Sequence, residues 1–310
     1  MGPHTIRYVA LGIILFFFCI FSILDGFDLG VGIIQPFFKR KEIADKMLSS
    51  ISPFWGGNEV WLVIGAGSIF SVFPVIFASL ISKFYLPCMA VVCALILRAV
   101  SIEFWYHDAR NERLWRTIIA LASFIAPCGG MWAIATLILN LSSIITVSAQ
   151  APVNLVSPAP LIVAFAGAAL VMWHGLVYAI AKDADDGLRG AAKTMWTIVI
   201  ILMSIAGVFY YVQSKASLHL ALTVTGLLLL YGGLIAARVL LHKKQAPFYL
   251  SCVSIVGLWT IIAGTIVPHT DLLFKVASPL LPLRIFITVA AAMTPIILIY
   301  TFFVYRIFRK

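Results

Sequence analysis

Several charged and amide side chains lie inside or at the ends of long apolar stretches of this sequence. Asp25 and Asp28 end one apolar run, and Asn58 and Glu59 begin the next. A charge inside an apolar membrane segment is costly, and it is by default a hypothesis for a functional site. The candidate residues are Asp25, Asp28, Asn58, Glu59, Arg98 and Glu103.

Three kinds of chemistry fit these residue types. Carboxylates at one depth beside a basic residue can carry protons or cations. The same carboxylates can form a structural ion-pair network around Arg98, because arginine pairs well when it is buried. Side chains at a membrane edge can also extend to the water interface without any further role. The residues alone leave the three interpretations open.

The composition indicates that these residues sit in a helical membrane protein. The 310 residues are 62% hydrophobic and 11% charged, with a mean hydropathy of +1.06. A soluble domain is about half apolar and about a quarter charged. The apolar runs continue for about 20 residues, which favours helices over the alternating pattern of a membrane β-barrel.

Charged or Pro/Gly-rich breaks divide the chain into nine predicted membrane helices. Their approximate ranges are 8–34, 56–78, 84–104, 117–140, 159–181, 194–213, 218–241, 248–267 and 284–305. Most Lys and Arg residues fall in connections on one side, which predicts an outside N-terminus and a cytoplasmic C-terminus. The net charge of +10 does not indicate nucleic-acid binding, because the basic residues sit in short loops and form no basic tail.

This topology predicts that the first three helices bring their polar residues to one depth near the cytoplasm. Asp25 and Asp28 are three residues apart and therefore share a helix face. Gly26 and Gly30 form a pair of small residues four apart, which allows a neighbouring helix to approach closely.

Other polar residues give weaker signals. His174 lies clearly within a predicted helix and could be a haem ligand or a hydrogen-bonded packing residue. The five cysteines lie in or beside apolar runs, without a C-x-x-C spacing. No H-E-x-x-H or Cys/His zinc pattern occurs, so no metal site is predicted. Most tryptophans fall near predicted helix ends, as in an interfacial belt.

Two motifs give the chain a family resemblance. Residues 25–32 read Asp-Gly-Phe-Asp-Leu-Gly-Val-Gly, and residues 53–62 read Pro-Phe-Trp-Gly-Gly-Asn-Glu-Val-Trp-Leu. Residues 97–103, the pair His174-Gly175 and the Pro295 helix add support. With these stretches the chain resembles subunit II of the cytochrome bd-type quinol oxidases, including their cyanide-insensitive relatives.

The resemblance implies an all-α fold of two four-helix bundles plus one peripheral helix. It implies a bacterial inner-membrane complex that oxidises quinol, reduces oxygen to water and takes protons from the cytoplasm, and is therefore electrogenic. The haems b and d would belong to a partner, subunit I, and small single-helix subunits can accompany it. This chain would then hold no catalytic residue, haem or metal, and His174 would be a structural polar residue.

The role of this subunit within such a complex stays open at this point. It would support the haem-bearing subunit, and it would provide a cytoplasmic proton path or hold a quinone. Trp55 and Trp61 are candidate contacts to a quinone ring or a partner helix. A purely structural assembly partner is the main alternative, and a secondary transporter is a more distant one.

One position departs from the family pattern. The family sequence Trp-Asp-Gly-Asn-Glu is Trp55-Gly56-Gly57-Asn58-Glu59 here, so the aspartate assigned to a proton path is replaced by Gly56. Either the route runs through Glu103, Glu59 and water, or this subunit does not conduct protons.

Overall fold

The computed structural model describes residues 2–38, 40–146, 157–182, 187–214 and 218–308. All regular elements within these ranges are helices, apart from three single 3-10 turns. The helices are α1 Pro3–Ile34, α2 Lys41–Ile51, α3 Trp55–Val72, α4 Pro74–Lys83, α5 Tyr85–His107, α6 Glu112–Leu139, α7 Leu141–Thr146, α8 Pro158–Ala181, α9 Leu188–Ser214, α10 Leu220–Val239, α11 Ala246–Ile266, α12 Thr270–Leu273 and α13 Leu280–Ile307.

The predicted all-helical membrane class is confirmed. Within the described ranges, eight helices are long and apolar enough to cross a membrane by themselves. A ninth span arises if α3 and α4, which are bent by 117° relative to each other, are counted together. The arrangement as two four-helix bundles with a peripheral helix stays a prediction.

The bend divides the second predicted helix, 56–78, which the sequence pattern treats as continuous. Phe73 leaves the helical conformation at φ −130° and ψ 66°, and Pro74 begins α4. Proline disfavours the α conformation in the residue before it, so the chain turns here instead of continuing. Ser278 caps the C-terminal end of α3. It donates its backbone N–H to the carbonyl oxygen of Val72 and its hydroxyl to the carbonyl oxygen of Ser71.

Helix α1 lies at the centre of the molecule and packs against α3, α6, α8, α11 and α13. The close approach of a neighbouring helix, predicted from Gly26 and Gly30, is confirmed at Gly30, and the helix is α8. A Cβ atom at Gly30 would overlap the carbonyl oxygen of Val171 and the backbone of Gly175. Glycine is therefore required at this crossing because two helix backbones occupy the space.

A polar network fixes the end of α1 nearest Asp25 and Asp28. The buried Gln35 donates to the carbonyl oxygen of Arg116 at 2.9 Å, and its own amide oxygen accepts from Arg116 at 3.0 Å. Arg116 also pairs with Asp45 and with Glu112. The network ties the short helix α2 and the start of α6 to α1.

We expect the substitution Gly30→Ala to destabilise the folded protein. The added methyl group meets backbone atoms of α8, which cannot move away as a side chain could, and overpacking of this kind costs about 1–3 kcal/mol. Thermal unfolding in detergent should show a lower midpoint. Gly12→Ala is the matched control on the same helix, because no atom lies within 4 Å of its new Cβ. Equal stability of the two variants would contradict the close packing.

Candidate functional site

Arg98 is the centre of a buried ion cluster. Its side chain is 1% exposed, and one terminal nitrogen, Nη2, donates to Oδ1 of Asp25 at 2.7 Å and to Oε1 of Glu59 at 2.6 Å. The three residues come from α5, α1 and α3 respectively. One guanidinium group therefore joins three separate membrane helices.

An amide continues the network to the second aspartate. Asn58 donates to Oδ2 of Asp28 at 2.8 Å and to the carbonyl oxygen of Leu24 at 3.1 Å. The hydroxyl of Tyr305 donates to the amide oxygen of Asn58 at 3.0 Å. The polar network thus extends from α5 through α1 and α3 to α13.

The cluster contains more acidic groups than basic ones. It has one basic side chain, Arg98, and three carboxylates, those of Asp25, Asp28 and Glu59. Several buried polar atoms have no hydrogen bond from the described residues: Oδ2 of Asp25, Oδ1 of Asp28, and Nε and Nη1 of Arg98. Buried polar groups are nearly always hydrogen-bonded. The site therefore has hydrogen-bonding capacity for protons or water beyond its internal contacts.

Most members of the cluster are buried, and one of them is partly exposed. Asp25, Asp28 and Asn58 are at most 1% exposed. The Glu59 side chain is 22% exposed and touches the same guanidinium as Asp25. Glu59 is therefore the member that connects the interior of the cluster with the surface of the chain.

Glu103 lies outside the cluster, contrary to the predicted grouping. Its side chain is 68% exposed, and its partner is His107, with Oε1 and Nε2 separated by 3.5 Å. Five residues separate Arg98 and Glu103, which places them about 140° apart around a helix. A similar depth in the membrane therefore did not bring them to the same face.

The two candidate tryptophans have different surroundings. Trp61 is fully buried and packs against Phe16 and Phe17 of α1, with ring centroids 6.4 and 6.0 Å away. Trp55 is half-buried at the start of α3. The interior position of Trp61 leaves Trp55 as the more accessible of the two rings.

His174 makes two hydrogen bonds within the chain. Its Nδ1 lies 2.6 Å from the hydroxyl of Ser251, and its Nε2 lies 3.0 Å from the carbonyl oxygen of Ile23. Both ring nitrogens thus have partners, which matches the packing interpretation and leaves no open nitrogen for a haem iron. Among the described residues, no group of His, Cys, Asp and Glu side chains is arranged to hold a metal ion.

Sequence reasoning missed an aromatic layer beside the cluster. Tyr305 stacks on Phe54 with centroids 4.3 Å apart, and Phe27 stacks on Tyr178 at 4.0 Å. Tyr178 also donates to the carbonyl oxygen of Ser50 at 2.9 Å. Tyr305 is 247 residues from Asn58 along the chain, so no local pattern could have linked them.

Comparison with known sequences identifies a family. The family described as "Cytochrome bd terminal oxidase subunit II" matches residues 6–308. The "Cytochrome bd ubiquinol oxidase subunit 2" of Bacillus subtilis is 35% identical over 127 residues, which are 40% of this chain and 37% of that protein. The "Cytochrome bd-I ubiquinol oxidase subunit 2" of Escherichia coli K12 is 35% identical over 112 residues, or 34% of this chain and 29% of that relative. These matches thus span well under half the length of the curated relatives.

Comparison with solved structures gives the same fold. A chain in "The structure of bd oxidase from Geobacillus thermodenitrificans" has a TM-score of 0.74, and the match covers 98% of this chain and 98% of that chain. The two chains are 12% identical in sequence. At this level of identity the likeness concerns the fold alone.

We expect Arg98→Leu to reduce the yield of folded protein strongly. The substitution leaves Asp25 and Glu59 without their positive partner, and breaking a buried ion pair on one side costs about 3–5 kcal/mol. The yield of monodisperse protein after detergent extraction measures the effect. Adding Asp25→Asn should restore part of the yield, because it removes one of the uncompensated charges. Glu103→Gln is the control and should behave like the wild type, since Glu103 is exposed and outside the cluster.

Proposed function

Because the chain belongs to the cytochrome bd terminal oxidase subunit II family, we propose that it works as the second subunit of a membrane complex that oxidises quinol and reduces oxygen to water. Its partner is the haem-bearing subunit I, which holds haems b and d, and small single-helix subunits can accompany the pair. The complex lies in the bacterial inner membrane, with the C-terminus of this chain in the cytoplasm. Family membership favours this function over a stand-alone secondary transporter.

Within this function, the haem chemistry belongs to the partner. Haem iron is held by axial side chains such as His, Met, Cys or Tyr, and a histidine can hold it only through a ring nitrogen that is open. His174 is the fully buried histidine of the described residues, and both of its nitrogens are already hydrogen-bonded. We assign to this subunit the support of the haem-bearing partner and, as argued next, a proton site.

The Arg98 cluster is proposed as a proton site on the cytoplasmic side. The single observation that carries this proposal is the shared guanidinium, which links the partly exposed Glu59 to the buried Asp25. A proton that reaches Glu59 has an acceptor carboxylate on the same Arg98 nitrogen, and the second aspartate follows through Asn58. Unsatisfied oxygens on both aspartates provide positions for a proton.

The substitution at Gly56 changes where such a route begins. Gly56 is exposed at the start of α3, and it stands where the family has an aspartate. Glu103 points away from the cluster, so it does not replace that aspartate within the cluster. We therefore assign the accessible end of the route to Glu59.

A structural role for the same cluster is the second candidate. The two bonds from Arg98, at 2.7 and 2.6 Å, hold α1, α3 and α5 together. If this were the whole function, loss of Glu59 would lower assembly and haem content without changing turnover per haem. The two candidates therefore differ in what a conservative substitution does to the assembled complex.

We expect Glu59→Gln to slow quinol-driven proton uptake in the assembled complex by at least about tenfold. The amide keeps a hydrogen-bond acceptor for Arg98 but cannot take up a proton in the route, and general acid–base groups contribute about 10²–10⁴-fold. Proton uptake per haem in reconstituted vesicles is the measurement, and Glu103→Gln is the control. Unchanged uptake per haem in the Glu59 variant, with a lower haem content, would establish the structural role instead.

An apolar cavity that is open to the surface of the chain supports the proposal that this subunit can hold a quinone. The cavity has a volume of about 430 Å³ and lies among α1, α3, α4, α5, α6, α8 and α11. Almost all of its lining is apolar, including Leu62, Ala66 and Phe77. A quinone ring needs hydrogen-bond donors, whereas an isoprenoid tail needs only apolar contacts. The cavity therefore suits the tail.

We expect Ala66→Phe to reduce the quinone that co-purifies with the complex to less than about half, because the larger ring fills part of the space that the tail would occupy. Solvent extraction followed by chromatography measures quinone per haem. Val63→Phe is the control, since Val63 lies on the exposed face of the same helix. Equal quinone content in both variants would exclude this cavity as the tail site.

A further inference from the structure

A basic pocket lies between the start of α9 and the end of α10. It has a volume of about 270 Å³, and its polar lining includes Arg189 and Lys193 from α9, Arg238 from α10, and His242. The Arg238 guanidinium lies 5.9 Å from the ring centre of Trp196, which fixes its position beside the pocket. Three permanently basic side chains thus converge from two helices at one end of the helix pair.

Two hydrogen bonds join α9 and α10, the helices that line this pocket. Trp196 donates to the carbonyl oxygen of Leu234 at 2.8 Å, and Ser204 is hydrogen-bonded to Tyr231 at 3.0 Å. These bonds show that the two helices face each other. Their main packing partners are elsewhere, since α9 packs on α8 and α10 packs on α11. Inward-facing residues of both helices, among them Val199 and Leu234, are buried in one hydrophobic cluster, so only the outward faces stay exposed.

Away from the pocket, each of the two helices carries exposed apolar side chains. On α9, Ile201 and Val208 are exposed and lie seven residues apart, about two turns, below Lys193. On α10, Ile235 and Leu228 have the same spacing below Arg238 and are 53% and 69% exposed. Apolar surface of this length, with positive charge at one end only, matches an amphiphile with an anionic head.

We propose that this end of the helix pair binds an anionic phospholipid, with its phosphate in the basic pocket beside Lys193 and Arg238 and its acyl chains along the exposed apolar faces of α9 and α10. Arginine and lysine hold phosphate oxygens through charge-assisted hydrogen bonds. Basic pockets between membrane helices are suited to anionic lipid head groups, and each basic residue near the membrane surface contributes about 1 kcal/mol. The acyl chains cover apolar side chains that no other part of the described chain covers. This site lies apart from the Arg98 cluster, and it does not depend on the proposed proton route.

The test uses the complete oxidase complex, exchanged into a detergent that removes bound lipid. Dioleoyl phosphatidylglycerol is titrated in, and bound lipid is counted by native mass spectrometry. We expect Lys193→Gln to weaken the tightest binding about fivefold and Lys193→Gln with Arg238→Gln to weaken it about 25-fold. Lys243→Gln is the matched control, because it removes one charge next to the pocket but does not line it. It should change binding less than about twofold.

Several outcomes would overturn the proposal. Unchanged phosphatidylglycerol binding in the double variant would place the lipid elsewhere. Equally tight binding of phosphatidylcholine would remove the role of the basic pocket, and displacement by millimolar inorganic phosphate would indicate a free-anion site. Reduced assembly without any lost lipid would mean that a partner subunit, and not a lipid, covers the exposed faces of α9 and α10. If the double variant does not assemble, lipid binding by the Lys193→Gln variant, whose substituted side chain is exposed, is the test. Unchanged binding in that variant would then overturn the proposal.

Discussion

The structure depends on the pairing of one buried guanidinium group. Arg98 lies inside an apolar helix bundle, where an unpaired charge is costly and a paired one requires good geometry. Its Nη2 nitrogen satisfies this requirement with Asp25 and Glu59, which come from two different helices. The relative positions of α1, α3 and α5 are therefore coupled to the ionic state of the cluster. A change of charge at Asp25, Glu59 or Arg98 therefore alters the contacts of all three helices.

Helix α1 connects this constraint with the rest of the packing. One part of it presents Asp25 and Asp28 to the cluster, while Gly30 allows α8 to approach backbone to backbone. Helix α8 in turn places His174 against the carbonyl oxygen of Ile23, again on α1. The motif of residues 25–32 thus serves two purposes. It supplies the carboxylates, and it provides the space that lets neighbouring helices surround them.

The excess of carboxylates over basic groups separates this cluster from a simple salt bridge. A balanced pair would be satisfied internally, whereas this cluster retains buried oxygen and nitrogen atoms that have no hydrogen-bond partner among the described residues. The partly exposed Glu59 gives the network a connection to the surface. These features support the proposed proton site, and the stacked aromatic pairs Phe54–Tyr305 and Phe27–Tyr178 pack beside it.

The sequence by itself determined the membrane class, the number of spans to within one, the two motifs and most of the polar cluster. These properties follow from local quantities: the length of apolar runs, the cost of a charge inside them, and the spacing of residues on one helix. Only the tertiary structure decided that Glu103 faces away, that Tyr305 joins Asn58, and that the chain bends at Pro74. Depth in the membrane can be read along a chain, but the rotation of each helix about its axis depends on its neighbours. That rotation placed Arg98 toward Asp25 and turned Glu103, five residues later, to the outer surface.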